Sequence, residues 1–399
     1  MTPILGFLLV LLIAFVTVNF VAPRLRESNP LVSGVVVSGI PFLVLGIILG
    51  PKVSNFLSRD ILVRLEPLVS LALGWIGLIF GIQLRWRNVK RFPRNYLLFT
   101  SIQSLVAFAV IGGFSFWALR WLQGTGGREV LEIALVLGAV GCVTAPITIG
   151  RAVATLGARG RLTHLLQFVS GLDGFWGILF AGVGSALFNP LKSPVIHSGW
   201  QWFLLGMGLA LLMGVYLLYL LRSGFSAEEN FLLLLGLVVF VSGAGFYLHL
   251  SPIFLNMVVG MVVAQSRIPA TQVNRIVVTM EKPLYLMLLV FAGAMWNPAV
   301  LPEVGIIAAF LLARLMGKLI GGWISARWIP VGFPVPARIG HLLLSFGGVS
   351  LAIAFNYQLF RGGSAGGLVI SATIIGIILF DELAAWNTFR LLRQEGEIS

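Results

Sequence analysis

Three side chains in this sequence carry charge where charge is costly. Asp173 stands in VSGLDGFWGIL, residues 169–179, inside a long apolar run, and Arg314 and Lys318 stand in ARLMGKLIGG inside another. A carboxylate at the centre of a bilayer costs roughly 2.5–3.5 kcal/mol on insertion scales, and an ionisable residue there is by default a functional one. Arg314 and Lys318 are spaced to share one helical face. If the acidic segment runs outward and the basic one inward, Asp173 lies about 15 Å from the cytoplasmic start of its segment, and Lys318 about 12 Å and Arg314 about 18 Å from the cytoplasmic end of theirs. Depth therefore permits either cation as the ion-pair partner. The chemistry this suits is proton exchange, because an aspartate beside a lysine can change charge when the lysine moves away.

Other chemistries find little support. A single cysteine, Cys142, rules out a disulfide framework and any multi-cysteine metal site. The four histidines, His164, His197, His249 and His341, are scattered, and neither a zinc-binding His-Glu-x-x-His pattern nor a phosphate-binding loop exists. GTGG at 124–127 reads as a loop. No metal and no cofactor is expected, and the reading is a transporter, not an enzyme. The net charge of +13 does not point to nucleic acid, because the basic residues concentrate in short gaps between apolar runs.

The elements that must hold these charges follow from composition. Of 399 residues, 58% are hydrophobic and 10% charged, against about 25% charged in soluble domains. Apolar segments fall near 4–22, 31–50, 66–84, 96–120, 130–155, 163–187, 200–221, 229–248, 252–266, 281–296, 301–326, 340–358 and 365–386, thirteen candidate spans in all, the ninth and tenth being short. The first lacks the basic start and cleavage site of a signal peptide, and RLR at 24–26 follows it. With the N-terminus outside and the C-terminus cytoplasmic, most Lys and Arg residues fall on the cytoplasmic side, as expected for an integral protein of the cell (inner) membrane. The densest basic run, RWRNVKRFPR at 85–94, is expected to grip anionic lipid. The organisation expected is one membrane transporter domain over 1–390, with a core that includes 96–187 and 301–386, a short cytoplasmic tail at 391–399 and no soluble regulatory domain.

Two spans look interrupted. GAVGCVTAPITIG, 138–150, places Pro146 in a glycine-rich run beside the hydroxyl of Thr144, and SFGGVS, 345–350, repeats that character with Gly347 and Gly348. Proline and glycine free backbone groups that then need protein or water partners. A pair of interrupted segments in corresponding halves points to a transporter site at the midplane. Spans four to six and eleven to thirteen form matching triplets of opposite topology. Gly171, Gly174 and Gly177 would give the Asp173 helix a narrow face for close packing. Asp381 and Glu382, in LFDELAAW, read as hydrated residues at the cytoplasmic end of the last span.

The order of several pieces resembles the cation/proton antiporter superfamily over nearly the whole chain: GIILGPKVSNFL, GLIFGIQLRWR, TAPITIGRAVATLGARGRLTHLL followed by GLDGFWGI, SPIFLNMVVGMVVA and EKPLYLMLLVFAGAMW. The resemblance implies an all-α polytopic membrane protein of about thirteen transmembrane helices, built as inverted-topology repeats with two crossed, discontinuous helices. It also implies a separate bundle that forms a homodimer, and a cation and a proton competing for one carboxylate. Many members carry Asp-Asp or Asn-Asp in the acidic helix, the second residue binding the ion. Here Asp173 takes the first position and Gly174 the second, and a Thr-Asp-Pro pattern reads Thr144-Ala145-Pro146. The family's lysine matches Lys318. Exchange of sodium or potassium for protons at Asp173, with Thr144 and unwound carbonyls as further oxygen ligands, is the first expectation. A sodium-coupled organic-anion symporter of similar fold and a transport-inactive membrane scaffold or sensor are the alternatives.

Overall fold

The computed structural model describes residues 12, 40–85, 90, 92–124, 127–221, 225–265, 270–296 and 301–397. The span expected at 4–22 (Leu12 apart), the basic residues of RLR, Arg87 and Arg91 of the basic run, and the centre of GTGG lie outside them. The elements in chain order are α1 (Ile40–Leu49), α2 (Arg59–Arg64), α3 (Glu66–Gln83), α4 (Arg94–Gln123), α5 (Arg128–Cys142), α6 (Pro146–Leu156), α7 (Arg161–Leu187), α8 (Gly199–Leu221), α9 (Ala227–Tyr247), α10 (Pro252–Ala264), α11 (Ala270–Met295), α12 (Leu301–Trp328), a 3₁₀ turn (Ile339–Leu343), α13 (Gly348–Arg361) and α14 (Gly363–Gln394). No strand occurs among the described residues.

Seven of these helices, α3, α4, α7, α8, α9, α12 and α14, are long and apolar enough to cross a membrane. Their outward faces stay apolar: Leu204, Leu211, Leu212 and Val215 of α8 are all exposed, which suits lipid as the solvent. The protein is an all-α, polytopic integral membrane protein. The tenth expected span is longer than its apolar stretch, because α11 begins at Ala270 and continues through Pro283.

The chain divides into two compact units. The first holds Met1–Arg85 and Asn189–Asn297. In it α3 lies along α10, and α1 along α11. Glycines set these approaches: a Cβ on Gly81 would overlap the Met257 carbonyl, and one on Gly293 the Leu43 carbonyl. Backbones packed this closely gain dispersion contact where no hydrophobic force acts between helices.

The second unit holds Trp86–Phe188 and Pro298–Ser399, and carries all three intramembrane charges. Its α12 packs along α4, and α7 packs on α4, α5 and α13. Two segments are interrupted. The first is α5–α6, where Val143 and Ala145 are extended (ψ 145° and 111°). Ala145 precedes a proline, which disfavours helical ψ, and Pro146 then opens α6 where its missing N–H is no loss. The second runs from the 3₁₀ turn to α13 through Gly347, extended at φ −147°, ψ 179°. The breaks touch: Ala145 N–H donates to Ser345 O at 3.3 Å, and a Cβ on Gly347 would come within 3.0 Å of Ala145 Cα.

Both ends of α7 are gripped by charges opposed to its dipole. At its start, Glu397 accepts from the N–H groups of Leu162 and Thr163, both at 2.8 Å, and from the Thr163 hydroxyl at 2.7 Å. At its far end, Arg361 donates to Phe188 O at 2.9 Å while holding Glu132 of α5 through two 2.6 Å bonds. A carboxylate at a helix N-terminus and a guanidinium at its C-terminus are each favourable. Of the segment expected as a tail, 391–399, the described residues 391–397 are thus not a free extension. Helix α14 runs to Gln394, and Leu392 is fully buried.

The glycine face of α7 is narrower than expected. A Cβ on Gly177 would overlap Val143 and approach Ala139 O at 2.9 Å, but one on Gly171 would meet nothing within 4 Å. Gly177→Ala should therefore lower the midpoint of thermal unfolding in detergent, with overpacking costing about 1–3 kcal/mol. Gly171→Ala should leave it unchanged or raise it. Equal midpoints for the two variants would refute this packing.

Candidate functional site

An interrupted helix leaves carbonyl oxygens without intrahelical donors, and its C-terminal end carries partial negative charge. In the second unit both interruptions present such oxygens to α12, which answers with two cations. Arg314 donates to Gly141 O, to Val143 O at 3.1 Å, to Leu344 O at 3.0 Å and to Ser345 O at 2.9 Å. Its guanidinium also lies 3.6 Å from the centre of the Phe346 ring. One planar fork thus joins the end of α5 to the end of the 3₁₀ turn, a task suited to arginine's fixed array of donors.

Lys318 lies one helical turn further along α12. It donates to Cys142 O, to Thr144 Oγ1 at 2.8 Å and to Asp173 Oδ2 at 3.3 Å. Thr144 Oγ1 in turn donates to Leu343 O at 3.2 Å. Asp173, Thr144, Arg314 and Lys318 are all 0% exposed, so the ion pair is held in a low dielectric where its attraction is strong and its desolvation expensive. Asp173 Oδ1 has no hydrogen-bond partner among the described residues.

The second interruption can reach α12 because of Gly340 in the 3₁₀ turn, where a Cβ would overlap the backbone carbonyl of Lys318. Tight seating of that turn on α12 brings Leu344 O and Ser345 O to the guanidinium.

The structure brings together Asp173, Thr144, Lys318 and Arg314, with Pro146 opening α6, Gly347 capping α13 and Gly348 beginning it. It separates the roles of the two cations. Among the described residues the ion-pair partner of Asp173 is Lys318, whereas the assignment of Arg314 as an alternative partner is corrected: its two terminal nitrogens donate to carbonyl oxygens, and its Nε has no hydrogen-bond partner among the described residues. Depth could not decide this, but side-chain shape does.

Asp381, read from sequence only as a residue near the cytoplasmic end of the last span, is part-buried and has a structural contact. Its Oδ1 accepts from Phe346 N–H at 2.7 Å, at the second interruption. The hydropathy of the last span fades near residue 386, but α14 has 32 residues, about 48 Å of helix, and continues well beyond Asp381. Sequence offered a signal, since LAAWNTFRLLRQ after Asp381 contains no proline or glycine.

No family model matches the sequence, and no curated protein matches it. Among solved structures the chain is similar to the sodium proton antiporter MjNhaP1 from Methanocaldococcus jannaschii at pH 8, with a TM-score of 0.68 at 18% identity over 98% of this chain and 97% of that one. It is also similar to the structure from a 3D EM map of the same antiporter, with a TM-score of 0.62, 18% identity and the same coverage. At this identity the likeness is one of fold.

The site predicts an asymmetry between its two charges. Lys318→Met removes the ion-pair contact of Asp173 and leaves a buried carboxylate uncompensated, a loss of about 3–5 kcal/mol. Asp173→Asn leaves Lys318 two other oxygen acceptors and keeps the side-chain shape, so it should destabilise less. Thermal unfolding of both variants in detergent measures this. A lysine variant as stable as the aspartate variant would contradict the geometry.

Proposed function

We propose that this chain, which has the fold of the cation/proton antiporter superfamily, is a secondary active transporter that exchanges a monovalent cation, sodium or potassium, for protons across the membrane. The observation that carries this reading is the fully buried Asp173, with one oxygen on Lys318 and the other without a hydrogen-bond partner among the described residues. A proton and a cation would compete for that carboxylate. When Asp173 gives up its proton, the carboxylate, Thr144 Oγ1 and the carbonyls of the interruption are the oxygens that would take a monovalent cation, as unwound backbone does in transporters built on broken helices. When the cation leaves, a proton or the Lys318 ammonium balances the charge. The similarity in fold to a sodium proton antiporter supports the reading.

Gly174 supplies no second acid, so one carboxylate handles one positive charge per cycle while Lys318 stays protonated. Exchange should then be electroneutral, one cation per proton. We further infer a homodimer in the cell membrane, with the N-terminus outside, the C-terminus cytoplasmic and anionic lipid at the basic loops.

The test is a proteoliposome assay with an internal pH dye, adding sodium, potassium or lithium in turn. Wild type should move protons with at least one cation, at a rate unaffected by a clamped potassium diffusion potential. Asp173→Asn should abolish the flux. No proton movement with any cation across a wide pH range would overturn the reading, and wild-type flux in Asp173→Asn would make the carboxylate structural.

A further inference from the structure

Four charged side chains of the second unit act at the two interruptions: the transport reading uses Asp173 and Lys318, and Arg314 holds the carbonyls. The fourth is Asp381. Its Oδ1 accepts from Phe346 N–H at 2.7 Å, and Arg314 donates to Ser345 O at 2.9 Å. Ser345 C=O and Phe346 N–H belong to one peptide group. A cation therefore holds its oxygen and an anion its nitrogen, each at the end of the peptide dipole it favours.

Helix α14 is shaped to receive this peptide. Gly376 and Phe380, four apart, share one face, and Asp381 follows on the next position. A Cβ on Gly376 would press within 2.5 Å of the Phe346 ring, so the glycine leaves a notch for that ring. Phe380 stacks on it, with centroids 6.3 Å apart, and the Arg314 guanidinium covers it at 3.6 Å from its centre. Phe346 is 1% exposed. Ring, amide and carbonyl of the second interruption each have a dedicated partner.

Charge argues the same way. Arg314 and Lys318 place two positive charges at the interruptions, and Asp173 balances one. Buried charge needs compensation, and Asp173 and Asp381 are the two carboxylates whose charges attract Arg314.

We infer that Asp381 is a positioning residue of the exchange site: with Arg314 it grips the Ser345–Phe346 peptide from both ends, fixing the second interruption and balancing the arginine. Its effect on cation affinity rests on the transport reading above. With Asp381 neutral, the site carries an uncompensated positive charge that repels an incoming cation. With the grip lost, the carbonyls of Leu344 and Ser345 are no longer held toward Arg314.

Two measurements on wild type, Asp381→Asn and Asp381→Ala test this: hydrogen–deuterium exchange at the Phe346 amide in the purified protein, and proton flux in proteoliposomes against the concentration of whichever of sodium, potassium or lithium drives wild type. In Asp381→Ala the amide should exchange at least about tenfold faster, since a hydrogen bond to a charged group is lost. In Asp381→Asn a neutral acceptor remains, roughly half as strong, and exchange should rise severalfold; this variant carries the test if the alanine one does not fold. Asp381→Asn should raise the KM for the cation by about tenfold with maximal flux within about twofold of wild type, the pattern of a binding effect. An amide as protected as wild type in both variants overturns the grip. A wild-type KM in Asp381→Asn, in a protein whose wild type transports, overturns the electrostatic role. If wild type moves no protons with any cation, the transport reading falls, while the amide measurement still decides the grip.

Discussion

Carbonyl oxygens left without intrahelical donors are the constraint around which the second unit is organised. Interrupting α5–α6 at Val143–Ala145, and the companion segment between the 3₁₀ turn and α13, orphans a cluster of backbone acceptors deep in an apolar bundle. Each unsatisfied group there costs several kcal/mol. Arg314 and Lys318 between them answer Gly141, Cys142, Val143, Leu344 and Ser345. Once two cations are required by the backbone, anions are required by the cations, and the place of Asp173 follows. In this order of cause the acid is a consequence of the broken helices, and its position beside them is what makes it available for ion chemistry.

The same electrostatic logic repeats at the ends of α7. The helix that carries Asp173 ends on Arg361 and begins on Glu397, so its dipole is complemented at both termini. Arg361 also reaches Glu132 on α5, tying the helix before the first interruption to the helix after the second. Position along α7 is therefore fixed by charged contacts at its ends and by steric fit near its middle, where Gly177 lies on Val143 and Ala139. The backbone that carries the carboxylate is thus fixed, and a change of partner falls to the side chains of Asp173 and Lys318.

What sequence disclosed follows from how local each signal is. Asp173 stood out because a lone acid in an apolar run is rare, and Pro146 because proline writes its own interruption. Gly347 and Gly348 marked the second break for the same local reason. The Lys318–Asp173 contact spans 145 positions, and depth along two helices could only narrow it to a pair of cations; the resemblance to an antiporter family favoured the lysine. Glu397 reaches residues more than 230 positions away, with no periodicity to announce it. The contact of Asp381 with the Phe346 amide was illegible for another reason: it joins positions 35 apart, and hydropathy, which marks where an apolar stretch ends, does not show that α14 continues to Gln394 with Leu392 buried and Arg393 exposed.

The division of labour between the two cations is the last consequence of shape. Arginine's guanidinium is a rigid plane whose donors point in fixed directions. Arg314 turns its two terminal nitrogens on four carbonyls from two segments and lies against Phe346, so moving it would release both interruptions at once. Lysine is a point charge on a flexible stem, with donors that can be reassigned. Lys318 touches a carbonyl, a hydroxyl and a carboxylate, and it can give up the last while keeping the other two. The pair Arg314 and Lys318, one turn apart on α12, thus separates a fixed charge that maintains the architecture from an adjustable one that faces the titratable group. Exchanging the two residues would put the rigid fork against a single carboxylate and leave the carbonyl cluster to a point charge, so their order along the helix is dictated by what each must hold.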